Sequence, residues 1–271
     1  MPELPEVETI RSQVMPHLVG RKIVRAVVRT LKLRHHIPPD LNALVAGQEI
    51  ISLDRRGKYL LLRCTRGTII VHLGMTGTLF VAPTGIPAAK HDHLDLELDD
   101  GYLLRFRDPR RFGTIAWTTD SPLEHPLLAL HGPEPLGNAF SGGYLLEKSA
   151  RRKIPVKQLL MDQQVVAGIG NIYAGEALFR AGIRPQTPAS SLSRDRCYSL
   201  AQAIREVIAE AVKAGKESIT GTVTGDAPSG YFPYRFQVYG RGGLPCLRCG
   251  TAVETIRLGG RSTYFCPHCQ K

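Results

Sequence analysis

Residues 50–73 read IISLDRRGKYLLLRCTRGTIIVHL. Three β-rich runs, Ile50–Leu53, Tyr59–Arg63 and Thr68–Leu73, are separated by turns at Arg56-Gly57 and Arg66-Gly67. The pattern continues outward on both sides, through Ile23–Val28, Thr78–Val81, Leu94–Leu98, Tyr102–Phe106 and Thr114–Trp117, with a further turn at Asp100-Gly101. Short runs of apolar and β-branched residues bounded by such turns read as strands. Eight of them at this spacing predict an antiparallel β-sandwich.

Ahead of the strands, apolar Val7, Ile10, Val14 and Leu18 recur at helical spacing and Gly20 follows as a C-cap, so a helix is expected from about residue 5 to 19. Pro2 and Glu3 then stand at its positive end. Removal of Met1 would expose the Pro2 nitrogen as a secondary amine, which titrates near ~8 and is free base far more often than a lysine. Such an amine attacking an aldehyde-like carbon becomes an iminium, an electron sink suited to covalent catalysis. The plainer role of the same residues is to start the helix, with proline in the first turn and carboxylates against the macrodipole. The acids and prolines at this end are unlike a signal peptide.

The chain has 271 residues and a formal charge of +11, enough for a substantial core in two domains and pointing to a polyanionic partner. The charge is concentrated in residues 132–271, which hold 18 Lys and Arg against 10 Asp and Glu. No apolar run approaches the ~18 residues of a membrane span, which favours nucleic acid over lipid. Of six cysteines, Cys64 and Cys197 fall in apolar elements and read as small buried hydrophobes. The other four form Cys246-x2-Cys249 and Cys266-x2-Cys269, with a Gly259-Gly260 hairpin between them, which predicts a closed structural zinc site. Arg261 sits beside the hairpin tip.

Three loops carry unusual side chains. Lys58 lies at the mouth of an apolar strand, Met75 stands between glycines in His72-Leu73-Gly74-Met75-Thr76-Gly77, and Asp108-Pro109-Arg110-Arg111-Phe112-Gly113 joins arginines to an aromatic. Exposed Met, Arg and Phe suit insertion into a base stack, although each taken singly also fits ordinary packing or solvation. Residues 122–143, rich in Pro, Gly and His, read as a linker. Helices are expected over Pro155–Asp162, from Asn171 to about Ala181, and over roughly Arg194–Ala214. Asn171 serves either as an N-cap or, on a glycine-bounded helix start, as part of a phosphate site. Residues 218–230 read as a mobile loop.

Together these segments resemble the bacterial formamidopyrimidine-DNA glycosylases over essentially the whole chain. The matching motifs are Pro2-Glu3-Leu4-Pro5-Glu6-Val7-Glu8-Thr9, Gly57-Lys58-Tyr59-Leu60, the Met75 and Phe112 loops, Gly168-Ile169-Gly170-Asn171-Ile172-Tyr173 and the four-cysteine tail. The resemblance implies an α+β multidomain chain: an N-terminal antiparallel β-sandwich with a long N-terminal helix (2–131), a linker and helix–two-turn–helix domain (132–240), and a zinc β-hairpin (241–271). It implies excision of 8-oxoguanine and formamidopyrimidines from duplex DNA, followed by β,δ-elimination at the abasic site. Pro2 would be the nucleophile, Glu3 the proton shuttle, Lys58 an assistant at the damaged nucleotide's phosphate, and Arg261 a phosphate contact that also assists the second elimination. Met75, Arg110 and Phe112 would fill the void left by the flipped base, Arg110 facing the orphaned cytosine. His72, His91, Lys153, Lys157 and Asn171 would contact DNA, and residues 218–231 would form a lid. A monomer with one structural zinc, acting in the bacterial cytoplasm at the nucleoid, is the expected form. The related endonuclease for oxidised pyrimidines is the nearest alternative, disfavoured by Leu4 and the Met-Arg-Phe trio. A DNA-binding protein without catalysis is the other, and would follow if Met1 were retained.

Overall fold

The computed structural model describes residues 2–219 and 234–271. They form two compact units: one takes the chain up to Ala129 together with the stretch from Ala214, the other takes Leu130–Lys213 and Tyr234–Lys271.

The first unit opens with α1 (Leu4–Leu18), followed by β1 (Ile23–Val28), a short α2 (Leu41–Val45), β2 (Ile50–Arg56), β3 (Tyr59–Cys64), β4 (Gly67–His72), β5 (Thr78–Pro83), β6 (Asp92–Leu98), β7 (Tyr102–Arg107) and β8 (Thr114–Thr118). The eight strands make two four-stranded antiparallel sheets, ordered β1-β6-β7-β5 and β2-β3-β4-β8. Side chains alternate across a strand, so Leu60 and Leu62 of β3 enter the core with Val71, Leu94, Leu96 and Phe106, and α1 adds Val7, Val14 and Leu18 to it. Leu61 faces the other way, where it packs with Ile70 and Leu128. This two-sided burial explains the unbroken leucine run. It also shows that the expected linker is not free at its start, because Leu128 lies on the sheet.

A buried ion cluster joins β6 and β7. Arg105 is 2% exposed and grips Asp95 with two bonds of 2.8 Å, while its Nη atoms donate to the carbonyls of Ile86 and Pro87 at 3.1 and 3.2 Å. Asp92 accepts the Ala89 N–H at 2.8 Å and pairs with Arg107 at 2.6 Å. These bonds fasten residues 86–89 and thereby the approach to His91. Burial pushes Asp95 up, but the hydrogen bonds and charges of Arg105 and Arg29 outweigh it and hold the carboxyl below its ordinary range.

The second unit contains α3 (Gly142–Ser149), α4 (Val156–Met161), α5 (Asn171–Arg180), a 3-10 turn at Ala189–Ser191, α6 (Arg194–Glu217, which runs on past Lys213) and the hairpin β9 (Glu254–Leu258) and β10 (Arg261–Phe265). Helix α3 begins inside the expected linker. Its Gly142 is set by packing: a Cβ there would lie 2.5 Å from the Tyr198 ring. On α5, buried Glu176 accepts the backbone N–H groups of Gln237, Val238 and Tyr239 at 2.7, 3.0 and 2.9 Å. The chain's last residues are stitched to the turn after α5: Lys271 N donates to Gly182 O at 2.9 Å and Gln270 Nε2 to Ile183 O at 2.8 Å. No helix among the described residues is long and apolar enough to cross a membrane.

Asp95→Asn is expected to cost about 3 kcal/mol in a denaturant titration at pH 7, since the buried Arg105 would lose its nearer counter-ion and keep only Asp92, at 3.4 Å. A depressed carboxyl contributes stability above its ordinary pKa of about 4 and loses it as pH falls through the lower folded value. The variant's Tm is therefore also expected to fall less steeply than the wild type's below about pH 4.

Candidate active site and DNA-contacting loops

Helix α1 determines where Pro2 and Glu3 stand. Glu3 is the N-cap residue and only 1% exposed, and its backbone N–H donates to the Glu6 carboxylate at 2.9 Å. Leu4 and Pro5 are buried beside it, so the first turn cannot fray without exposing apolar surface. Pro2 is half-buried, and Met1 lies outside the described residues. The helix packs against β2 and β3, whose connecting turn is Gly57-Lys58. Gly57 takes a positive φ of 57°, which a side chain would resist. Lys58 is buried at 7% exposure.

The loops after β4 and β7 are built as one body around Asp108, which is fully buried. Its carboxylate accepts from Thr76 Oγ1 at 2.7 Å, from the Gly113 N–H at 2.8 Å and from the Arg110 N–H at 3.3 Å. Its carbonyl meets His93 Nε2 at 2.8 Å, and its N–H donates to His91 O at 3.0 Å. Backbone touches backbone at Gly74, where a Cβ would lie 2.4 Å from the Phe112 carbonyl carbon. On this rigid base, Met75 and Phe112 remain 37% and 44% exposed, and the Arg110 guanidinium sits 4.8 Å over the Phe112 ring. Between them Arg111 adopts a φ of 59°, a strained conformation for a non-glycine residue. His72 ends β4 with its ring 4.7 Å from that of Tyr59 and its Nδ1 accepting the Gly74 N–H. Asp108 and Thr76 were not legible as site residues. A buried aspartate serving loop N–H groups has no sequence signature beyond its place before a proline.

In the second unit, α5 starts at Asn171 with Gly170 as its N-cap, so Asn171 is the first helical residue and not the cap. Its Nδ2 donates to Ser262 O at 3.1 Å, and its buried Oδ1 has no hydrogen-bond partner among the described residues. Arg261 is exposed at the start of β10, after Gly259 and Gly260 with φ of 54° and 76°. Lys153 is exposed. Lys157 departs from the expectation of a DNA contact: it is 2% exposed and its ammonium donates to Thr263 Oγ1 at 2.8 Å, bracing the hairpin. Most of the expected lid, from residue 220 onward, lies outside the described residues.

The four sulfurs of Cys246, Cys249, Cys266 and Cys269 lie within 4.8 Å of one another. Pairs stand 4.0 Å apart (Cys246–Cys269) and 3.5 Å apart (Cys249–Cys266). Bonds of about 2.3 Å in a tetrahedron would set sulfurs about 3.8 Å apart, so the cage fits zinc. The N–H groups of Arg248 and Cys269 donate to the Cys246 and Cys266 sulfurs, both at 3.4 Å.

Three sequence models match the chain in order: "Formamidopyrimidine-DNA glycosylase N-terminal domain" over residues 1–115, "Formamidopyrimidine-DNA glycosylase H2TH domain" over 131–223, and "Zinc finger found in FPG and IleRS" over 243–271. A formamidopyrimidine-DNA glycosylase of Geotalea daltonii is 61% identical, with the whole of both chains aligned. The chain belongs to the formamidopyrimidine-DNA glycosylase family. It is accordingly a DNA glycosylase with abasic-site lyase activity, and its four cysteines are the site of one structural zinc. The family's protein from Geobacter sulfurreducens is 53% identical, again over all of both chains. Among solved structures, the MutM (FPG) protein of Thermus thermophilus superposes with a TM-score of 0.85 at 40% identity, covering 99% of this chain and 98% of that one. A mutant FPG of Lactococcus lactis in complex with a Fapy-dG containing DNA gives 0.90 at 35% identity, with full coverage of both. A MutM complex with carbocyclic 8-oxo-G containing DNA gives 0.89 at 34%, also covering both chains fully.

The Asp108 base and the exposed side chains above it are separable by mutation. Asp108→Ala, which strands the Thr76 hydroxyl and the buried Gly113 N–H and leaves the Arg110 N–H with Thr76 Oγ1 alone, is expected to lower stability by about 3 kcal/mol. Phe112→Ala is expected to leave it within about 0.5 kcal/mol while weakening affinity for a duplex with an abasic site. Thermal melts and fluorescence anisotropy check both outcomes.

Proposed function

We propose that this enzyme removes oxidised purines, 8-oxoguanine and formamidopyrimidines, from duplex DNA and cuts the resulting abasic strand through a Schiff base on Pro2. The observation that carries the reading is the head of α1, where Glu3 is buried immediately after Pro2 at the positive end of a helix docked into the sandwich. That helix end disfavours a second positive charge, which favours the amine as free base.

The Pro2 nitrogen attacks C1′ of the damaged nucleotide; the base leaves with the electron pair of its glycosidic bond and takes up the proton that the secondary amine gives up, and Glu3 protonates the sugar ring oxygen as its bond to C1′ opens. The product is an iminium between Pro2 and C1′. Its electron demand acidifies C2′, so loss of a C2′ proton expels the 3′ phosphate; a second proton loss, from C4′, then expels the 5′ phosphate. Water finally adds to C1′ of the iminium, which frees Pro2 and releases the sugar remnant as an unsaturated aldehyde, and a one-nucleotide gap remains. Glu3 is the proton carrier next to the reacting carbon. Lys58 neutralises the phosphate flanking the lesion, and Arg261 stabilises the second departing phosphate.

Reaching C1′ requires the nucleotide to leave the stack. Met75, Arg110 and Phe112 occupy the space it vacates, and Arg110 offers a rigid fork of donors to the orphaned cytosine. His72, His91, Lys153, Asn171 and Arg261 hold phosphates, while Lys157 supports the hairpin from beneath. The three matched family segments support boundaries at 2–131, 132–240 and 241–271, and the finger packs with α5 through Phe179, Val238 and Val253. We assign the working form as a monomer in the cytoplasm, associated with the nucleoid.

Borohydride reduction of enzyme with a duplex carrying 8-oxoguanine opposite cytosine is expected to yield a covalent adduct whose intact mass lacks Met1. Pro2→Gly is expected to keep DNA affinity within about threefold and to lose most of the adduct. Undiminished trapping by that variant would refute Pro2 as nucleophile, and trapping only on oxidised pyrimidines would transfer the chain to the related endonuclease. Separately, Arg261→Ala is expected to weaken binding to damaged and undamaged duplex alike and to reduce the slope of log K against log salt by about 1. An unchanged slope would reject the phosphate contact.

A further inference from the structure

Glu8 of α1 is a buried carboxylate that the mechanism leaves unused. It is 9% exposed and sits among three cations: Arg11 at 2.8 Å, Arg55 at 3.1 Å and Lys216 at 3.6 Å. Burial pushes Glu8 up, yet the hydrogen bonds and charges of Arg11 and Arg55 prevail and hold it below the ordinary carboxylate range. Two of these cations reach onward, Arg11 into β2 and Arg55, itself on β2, to the turn beyond it. Arg11 donates from Nη1 to Leu53 O at 3.0 Å, in the middle of the strand. Arg55 uses Nε for Glu8 and Nη1 for Gly57 O at 3.0 Å, in the turn that delivers Lys58.

We propose that Arg55 is a positioning residue for the reaction, a rigid bridge that fixes the Gly57-Lys58 turn relative to the helix carrying Pro2 and Glu3. A guanidinium is planar, so one carboxylate and one carbonyl bound through different nitrogens lock each other's direction. Gly57, at a φ of 57°, offers little side-chain restraint of its own. To the β2–β3 pairing that frames the turn, the Arg55 bond to the Gly57 carbonyl therefore adds a direct tie to the helix. Docking of α1 does not depend on this bridge, because Arg11 still reaches Leu53 and Val7, Val14 and Leu18 still fill the core. Loss of the bridge should accordingly misplace Lys58 without unfolding the unit.

The inference rests on Pro2 and Lys58 acting as described above, and a mutant cycle separates the two claims. Single-turnover cleavage of the 8-oxoguanine duplex is measured for wild type, Arg55→Lys, Lys58→Met and the double variant, with the Kd for a duplex bearing an uncleavable tetrahydrofuran site and the Tm of each. Arg55→Lys keeps the charge but cannot hold both acceptors. It is expected to slow cleavage by about tenfold or more, with Kd within about twofold. In the Lys58→Met background the same change is expected to have less than a twofold effect. An equal slowing in both backgrounds, or an Arg55→Lys rate equal to wild type, would overturn the positioning role, and a Kd that rises in step with the loss of rate would make Arg55 a DNA contact instead. Glu8→Gln, which weakens the other end of the bridge, is expected to give the same dependence on Lys58. It decides the matter if Arg55→Lys fails to fold. Failure of wild type to form the borohydride adduct would strike the Pro2 mechanism and not this bridge.

Discussion

The chemistry assigned to this enzyme depends on holding the first two residues of a chain still. Chain ends are the least ordered part of most proteins unless something ties them down. Here the tie is a helix: α1 starts two residues after Pro2, and Val7, Val14 and Leu18 place its apolar stripe in the core of a two-sheet sandwich. The buried Leu4 and Pro5 extend that anchorage to the first turn. Pro2, proposed above as the reacting amine, thus adjoins a core element while remaining outside it. The sandwich supplies no reactive group from its interior. It is a mount, and its turns carry the side chains proposed above to meet the substrate.

The same division between hidden support and exposed tool recurs at the Met75 and Phe112 loops. Apolar side chains left in water gain nothing from the fold, so they cannot order themselves. Order comes from beneath, where Asp108 gathers donors from both loops and Gly74 admits the Phe112 backbone at a distance no larger residue allows. In the wedge role proposed above, preformed side chains would lose little conformational freedom on entering a base stack, which would leave more of the contact energy for opening it. The Arg105 cluster performs a like service for the segment leading to His91, again with buried charge in place of apolar packing.

Much of this was legible beforehand, and the limits have a physical pattern. Strands were visible because turn dipeptides such as Arg66-Gly67 and Asp100-Gly101 punctuate them locally, and the zinc site was visible because its ligands recur at fixed short spacing. Met75 and Phe112 stood out as large apolar groups where a core has no use for them. Groups whose partners lie far along the chain were missed. Glu176 serves N–H groups about sixty residues away, and nothing around it marks that task. Lys157 was expected as a DNA contact, and nothing near it in sequence marks the bond that its buried ammonium makes to Thr263 of the distant hairpin. Asn171 fitted a cap by residue type, but Gly170 takes that place and frees the amide to reach Ser262. The part of the expected lid beyond residue 219 falls outside the described residues.

The last two residues, stitched to the turn after α5 and next to the zinc ligands, have a bearing on how the protein can be handled. Gln270 accepts the N–H of Cys266 while donating to Ile183, so the carboxyl-terminal end is a strut of the metal cage. The other end must stay unextended if Pro2 is to present an amine. An affinity handle, dye or surface linker placed directly on Gln270 or ahead of Pro2 would therefore bear on the metal cage or on that amine. The Asp99–Gly101 turn, with open space around Gly101, is the kind of internal position where such an attachment would disturb neither the nucleophile nor the finger.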